Sequence, residues 1–262
     1  MDITIEFWRM LSAYVFVIIV LLIFQWRSIN RKLQLTVATL RMTIQLFLAG
    51  YVLVYLFDHP HPLLILTVLV LMQAFAIYNV FKRVDRELSP QLKRTVAVAM
   101  TVGSFSALFY FLIIVLNVSP LDPKVLIPIA GMMIGNAMTG VTLGVQSLLD
   151  SFSSERDQIE GMLMLGATPK AAVKPFVDRA FDAAVLPTIN SMVGMGIVFL
   201  PGMMTGQILA GMSPTTAIQY QLTIMLGILG GVAMSVILFT QLGYKAFFTK
   251  EAQLKPRLKK KK

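Results

Sequence analysis

The chain has no cysteine, two histidines and only 14% charged residues among 262. Without cysteine there is no disulfide and no thiolate metal site. Both histidines fall in one short stretch, Asp58-His-Pro-His-Pro62, so no His-Glu-x-x-His zinc helix exists. There is also no Gly-x-x-x-x-Gly-Lys-Ser/Thr phosphate loop and no Gly-x-Ser-x-Gly nucleophile elbow. An enzyme with its own nucleotide site is not expected, nor a catalytic residue. Acidic residues are scarcest inside the apolar runs: Asp58 and Asp122 mark their outer ends, Asp150 and Asp182 their inner ends. Carriers driven by protons or sodium usually hold a carboxylate within the membrane. If the chain works against a gradient, these absences point to an external ATPase as the energy source.

What is present is apolar. Hydrophobic residues make up 56% of the chain, and the mean hydropathy is +0.75. A span needs about 20 residues of helix. Met10–Trp26, Leu35–Phe57 (interrupted only by Arg41), Pro62–Phe81, Thr95–Leu121 and Val125–Leu149 approach or exceed that length. Ala183–Tyr244 contains no charge over 62 residues, enough for two further spans joined by a turn at Gly211-Met-Ser-Pro214. The runs are continuously apolar, not alternating, which predicts helices and not barrel strands. The expectation is an all-α integral membrane protein, a single permease domain with about seven spans.

Lysine and arginine set the orientation. Segments Arg27–Gln34, Lys82–Arg94, Asp150–Asp182 and Lys245–Lys262 hold 20 of the 23 basic residues; the opposite segments hold Arg9 and Lys124. This asymmetry predicts the N-terminus outside and the C-terminus in the cytosol. The first run has no basic region before it and no small-residue cleavage site, so it is expected to remain as a span anchored at Gln25-Trp26-Arg27. The net charge of +10 sits in juxtamembrane loops and in the tail Lys255–Lys262, so it calls for a bilayer and not for nucleic acid. The tail is either a solvated end or a contact to anionic lipid.

One polar stretch, Ser153 to Pro187, has the pattern of a mechanical part. Ser154 and Asp157 fit a helix N-terminus, followed by Ile159, Met162 and Leu163 on one apolar side. Gly166 is placed to end that helix, and Thr168 with Pro169 to start another. A helix, a tight turn and a second helix returning to the membrane follow.

Glu160-Gly-Met-x-x-x-Gly166, the run Leu165–Pro169 and the later Leu186-Pro187 resemble the coupling loop of ATP-binding-cassette (ABC) permeases. A narrower likeness lies in Gly131-Met-Met-Ile-Gly-Asn136, Pro187-Thr-Ile-Asn-Ser-Met192, Leu200–Gly211 and Tyr220-Gln221. These strings resemble the Fet-type iron-export permease family, with plant aluminium-tolerance permeases as relatives. The resemblance implies an exporter permease in the bacterial inner membrane, acting as a homodimer with a separate cytosolic ATPase that binds the ATP and magnesium. It implies metal export for bacterial members and nucleotide-sugar transport for some plant members. It assigns ATPase coupling to Glu155, Asp157, Ile159, Glu160, Met162, Leu163, Gly166, Ala167, Thr168 and Pro169.

Several residues suggest a substrate path. Arg41 is the one charge inside a span, about 9 Å from its cytosolic end, with Gln45 a turn deeper on the same face. Either Arg41 snorkels to the interface, or the pair lines a vestibule. Pro201-Gly202 interrupts an apolar segment, and broken helices often border binding sites. Asn136, Asn190 and Gln207 supply polar groups nearby in sequence. Met132, Met133, Met203 and Met204 are soft ligands or, more simply, adaptable packing between glycines. Asp58, His59 and His61 can be read as metal ligands, but the prolines make a rigid connector the simpler reading. A competing class, a self-sufficient channel or carrier, would make the cytosolic helix-turn-helix only a loop.

Overall fold

The computed structural model describes residues 7–256, and within them every regular element is helical. The elements are α1 (Phe7–Ser12), α2 (Val15–Trp26), α3 (Lys32–Asp58), α4 (Pro62–Arg83), α5 (Pro90–Tyr110), α6 (Pro123–Ser154), α7 (Arg156–Met164), α8 (Pro169–Gly194), α9 (Gly202–Leu209) and α10 (Pro214–Gly243). A π-helical turn, Phe111–Val115, extends α5, and a 3-10 turn, Tyr244–Phe247, extends α10. The basic tail from Arg257 lies outside the described residues.

Proline starts five of these helices. Pro62, Pro90, Pro123, Pro169 and Pro214 each occupy the first helical position, where the missing N–H costs nothing. Four follow a capping side chain. Ser89, Asp122, Thr168 and Ser213 each accept a hydrogen bond from a backbone N–H of the first turn.

The chain divides into two compact units between His61 and Pro62. In the first, α2 and α3 form a hairpin in which the hydroxyls of Tyr14 and Thr43 hydrogen-bond at 2.6 Å. In the second, α10 packs against α5, α6, α8 and α9, and α6 packs against α4 and α8. Close helix approach there depends on missing side chains. A Cβ on Gly103 of α5 would lie 2.5 Å from both the Cα and the N of Ser235 on α10. On α6, a Cβ on Gly140 would lie 3.1 Å from the Ala184 carbonyl oxygen, and one on Gly144 would lie 3.3 Å from the Ala184 Cβ. Gly140-x-x-x-Gly144 thus meets Ala180 and Ala184 of α8, small residues facing small residues. Hydroxyls buried in this packing bond back to their own helices: Ser235 donates to the Gly231 carbonyl at 2.8 Å and Thr142 to that of Met138 at 2.6 Å.

Among the described residues six helical segments are long and apolar enough to cross a membrane: Trp8–Trp26, Lys32–Asp58, Pro62–Arg83, Pro90–Val115, Pro123–Ser154 and Pro214–Phe247. The expected seventh, within 183–210, is not one continuous helix. Its first half is the end of α8, which begins at Pro169, and its second half is the short α9. Between them the chain turns from Met195 to Pro201. The turn at Gly211–Pro214 forms as expected, and α10 begins after it.

Candidate functional site

Three segments gather at one end of the second unit. Arg86 pairs with Asp150 at 3.4 Å. Gln146 donates to Asp85 at 3.1 Å. Lys255 donates to Gln91 at 3.4 Å. At this end α6 runs into α7. The expected cap at Ser154 is not formed: Ser154 closes α6 and donates to the Asp150 carbonyl at 3.0 Å. Glu155 occupies the N-cap position of α7 without a side-chain bond, and Asp157 lies in the first turn. Glu160 ion-pairs with Arg156 at 2.7 Å, one turn away.

The turn after α7 matches its sequence expectation. Gly166 has φ +87°. Its N–H donates to the Leu163 carbonyl, and that of Ala167 to the Met162 carbonyl, both at 3.0 Å. This is a Schellman closure. Thr168 then caps α8, its Oγ1 accepting from the Ala171 N–H at 3.3 Å. The closure recurs at Gly211 (φ +95°), ahead of the Ser213 cap and Pro214. Gly166→Val would force a β-branched residue into the left-handed region, destabilising the turn by about 1–2 kcal/mol. Hydrogen exchange at the Gly166→Val turn should show faster exchange of amides 166 and 167 than in wild type; unchanged protection would contradict this.

The apolar face of α7 points inward. Ile159 is buried where α7 packs on α6 and α8, and Met162 and Leu163 are half-buried. The exposed apolar tip is instead Met164 (86% exposed) and Leu165 (90% exposed). From the cap at Thr168, α8 runs without interruption for 26 residues, about 39 Å at 1.5 Å per residue. One helix therefore joins the turn to the break at the opposite end.

That break begins at Met195, six residues before Pro201, which serves as the N-cap position of α9. Local hydrogen bonds satisfy part of its backbone. Gly196 (φ +84°) donates to the Phe199 carbonyl at 3.0 Å, and Val198 to the Gly194 carbonyl at 2.9 Å. Ile197 and Val198 are exposed at its tip. Met133 and Met204 are buried, while Met132, Met203 and Pro201 are half-buried and Gly202 is exposed. Asn136 and Asn190 are both exposed. The antiparallel register that sets Gly140 against Ala184 brings them to within about 3 Å of the same level. Asn136 spends one N–H on the Met132 carbonyl at 2.8 Å.

Comparisons with known proteins give the family. A family profile described as "Uncharacterised protein family (UPF0014)" matches residues 7–248. The chain belongs to the UPF0014 family. "UPF0014 membrane protein YjkA" of Bacillus subtilis is 34% identical over 251 residues, covering 92% of this chain and 95% of that protein. "Protein ALUMINUM SENSITIVE 3" of Arabidopsis thaliana is 32% identical over 243 residues, covering 93% and 88%. "Probable iron export permease protein FetB" of Escherichia coli is 35% identical over 215 residues, covering 82% and 81%. No solved structure matches. The chain is a multi-pass membrane protein of a family that contains permeases.

Two glutamines stand out in this UPF0014 chain. The Oε1 atoms of Gln207 and Gln221 are buried without a hydrogen-bond partner. Gln221 Nε2 lies 3.9 Å from the Met195 sulfur, joining α10 to the first residue of the break. Gln207 was legible from its place beside Pro201-Gly202. Gln221 was not picked out as a site residue, although it lies in one of the strings that carry the family likeness. Arg41 and Gln45 are both exposed on α3 of the first unit. Among the described residues no three His, Asp or Glu side chains converge as a metal site, and His59 stacks on Tyr55 with ring centroids 5.0 Å apart.

Proposed function

We propose that this UPF0014 protein is the permease subunit of an ABC exporter in the bacterial inner membrane. Two copies would assemble with two copies of a cytosolic ATPase, which binds ATP and magnesium, to export iron or another metal ion. The observation that carries this reading is the continuous α8, which begins at an exposed apolar turn and ends at a broken segment of membrane length. Support for the cargo comes from the relative named as a probable iron export permease. The basic asymmetry, 20 residues against two, supports placing the turn in the cytosol.

In this reading ATP-driven closure of the ATPases moves Met164–Pro169. The push travels along α8, which stays continuous through its internal prolines Pro175 and Pro187. It arrives at the loop from Met195 to Pro201, where Gln221 holds Met195 to α10. Exposed carboxamides at membrane depth are costly against lipid. A second copy facing Asn136 and Asn190 removes that cost and makes them walls of a central path. Arg41 and Gln45 would line the cytosolic vestibule.

Iron content in cells tests both cargo and path. Cells lacking the protein, challenged with ferrous iron, should hold more iron than wild type. Plasmid-borne wild type should restore the level, and the double variant Asn136→Leu, Asn190→Leu should restore little while still reaching the membrane. Equal iron content in deleted and wild-type cells would sink the iron assignment. Full restoration by the double variant would remove the two asparagines from the path.

A further inference from the structure

The segment after α10 is a built element. The Thr249 N–H donates to the Gln253 carbonyl at 2.8 Å, and that of Lys255 to the Phe247 carbonyl at 2.8 Å, closing a small hairpin around a Phe248–Leu254 bridge. Phe152 of α6 stacks on Phe247 with ring centroids 4.1 Å apart and meets Phe248 edge-on at 6.1 Å. Arg156 locks the assembly. Its Nη1 donates to the Lys255 carbonyl at 2.8 Å, while its Nη2 pairs with Glu160 at 2.7 Å. The same guanidinium thus holds α7 on one side and the hairpin on the other.

This lock leaves a groove between the two. Glu160, Met164 and Ala167 form one wall, and Glu251, Gln253 and Leu254 the other. Among the described residues no lysine or arginine lines it. Basic residues lie close by in the same unit: Arg86, Arg156 and Lys255 line a pocket that shares Leu254 with the groove. A groove with two carboxylates and apolar walls suits a cationic side chain carried on an aliphatic stem. Glu160 is satisfied on one side by Arg156 and remains part-exposed, at 37% of its side chain. Glu251 is exposed beside it.

We propose that the ATPase subunit docks on a composite surface, the Met164–Ala167 turn together with the Thr249–Gln253 hairpin, and inserts a lysine or arginine into the groove between them. This rests on the permease reading. It adds that the C-terminal hairpin is half of the dock, and it makes Arg156 a positioning residue that keeps the two halves in register.

The absence of native cysteine makes the test clean, because one introduced thiol is the sole thiol of the chain. Single variants Gln253→Cys, Met164→Cys and Ser119→Cys, the last exposed at the opposite end, are labelled with a thiol-linked benzophenone in membranes that also contain the ATPase, then irradiated. Gln253→Cys and Met164→Cys should each give an adduct with the ATPase, and Ser119→Cys none. Glu251→Arg, which leaves the Arg156 lock untouched, should weaken co-purification of the ATPase at least about tenfold. An adduct from Met164→Cys without one from Gln253→Cys would overturn the composite dock while leaving the permease reading intact. Adducts from neither would overturn both. Wild-type co-purification by Glu251→Arg would overturn the cationic insertion.

Discussion

Replacing both exposed tip residues, Met164→Asp with Leu165→Asp, should abolish stimulation of the ATPase while leaving the protein folded. The side chains are 86% and 90% exposed, so the change costs the isolated chain almost nothing. In the complex the same positions would bury two carboxylates against an apolar groove. Truncating or reversing such anchors typically costs 2 kcal/mol or more, roughly thirtyfold in affinity. Ile159→Asp should behave differently, because Ile159 is buried against α6 and α8. It should unfold the corner and lower the yield of folded protein. Purified complexes separate the two effects: normal monodispersity with lost ATPase stimulation marks the tip, and loss of monodispersity marks the buried residue. If the double tip variant stimulated ATP hydrolysis like wild type, the turn would not be the contact.

Gly103→Ala should be strongly destabilising. The new Cβ would meet the Cα and N of Ser235 at 2.5 Å, and backbone atoms cannot rotate aside. Helices α5 and α10 would have to part, and α10 also carries the contacts to α6, α8 and α9. The expected cost is about 1–3 kcal/mol or more. Gly135→Ala is the matched control on α6, since a Cβ there meets nothing within 4 Å. Alanine should be neutral or mildly stabilising at that site, by up to about 1 kcal/mol. Thermal melting of the detergent-purified proteins decides it. Equal melting temperatures for the two variants would show that the α5–α10 crossing is looser than described.

Much of this was legible in the chain itself. Thr168-Pro169 and Ser213-Pro214 each pair a capping hydroxyl with a residue whose ring fits only the first helical turn, so both helix starts were foreseeable from local chemistry. Gly166 and Gly211 were foreseeable because both sit just past a helix end, where the left-handed conformation excludes most side chains. Tertiary choices were not. Helical spacing shows that Ile159, Met162 and Leu163 share a face, but not whether that face meets the protein or a partner. Packing on α6 and α8 buries it and leaves the last residues, Met164 and Leu165, at the tip. Ser154 reads equally well as a cap and as a back-bonding hydroxyl at the end of a long helix, and α6 continues through it.

The seventh expected span was hard to read for a related reason: it is split between the end of α8 and the short α9. A charge-free run reports solubility in lipid, not continuity of helix. The loop at Met195–Pro201 closes its own backbone hydrogen bonds through Gly194 and Gly196, so it needs no polar side chains to announce it. The pattern Gly140-x-x-x-Gly144 was visible as letters, yet its partner face straddles two readings: Ala180 lies in the segment that reads as cytosolic by charge and Ala184 in the charge-free run. The continuous α8 is what joins these two regions; Pro201-Gly202 marked an interruption in the sequence, but α8 already ends at Gly194.

The most direct test of the account is transport in a defined membrane. The purified permease and its ATPase are reconstituted into vesicles with the ATPase outside, and ferrous iron is supplied outside with ATP and magnesium. Iron should accumulate inside only when permease, ATPase and ATP are all present, and the Met164→Asp, Leu165→Asp variant should show none of that accumulation. Iron movement by the permease alone, equal with and without ATPase and ATP, would contradict the account and establish a self-sufficient channel or carrier.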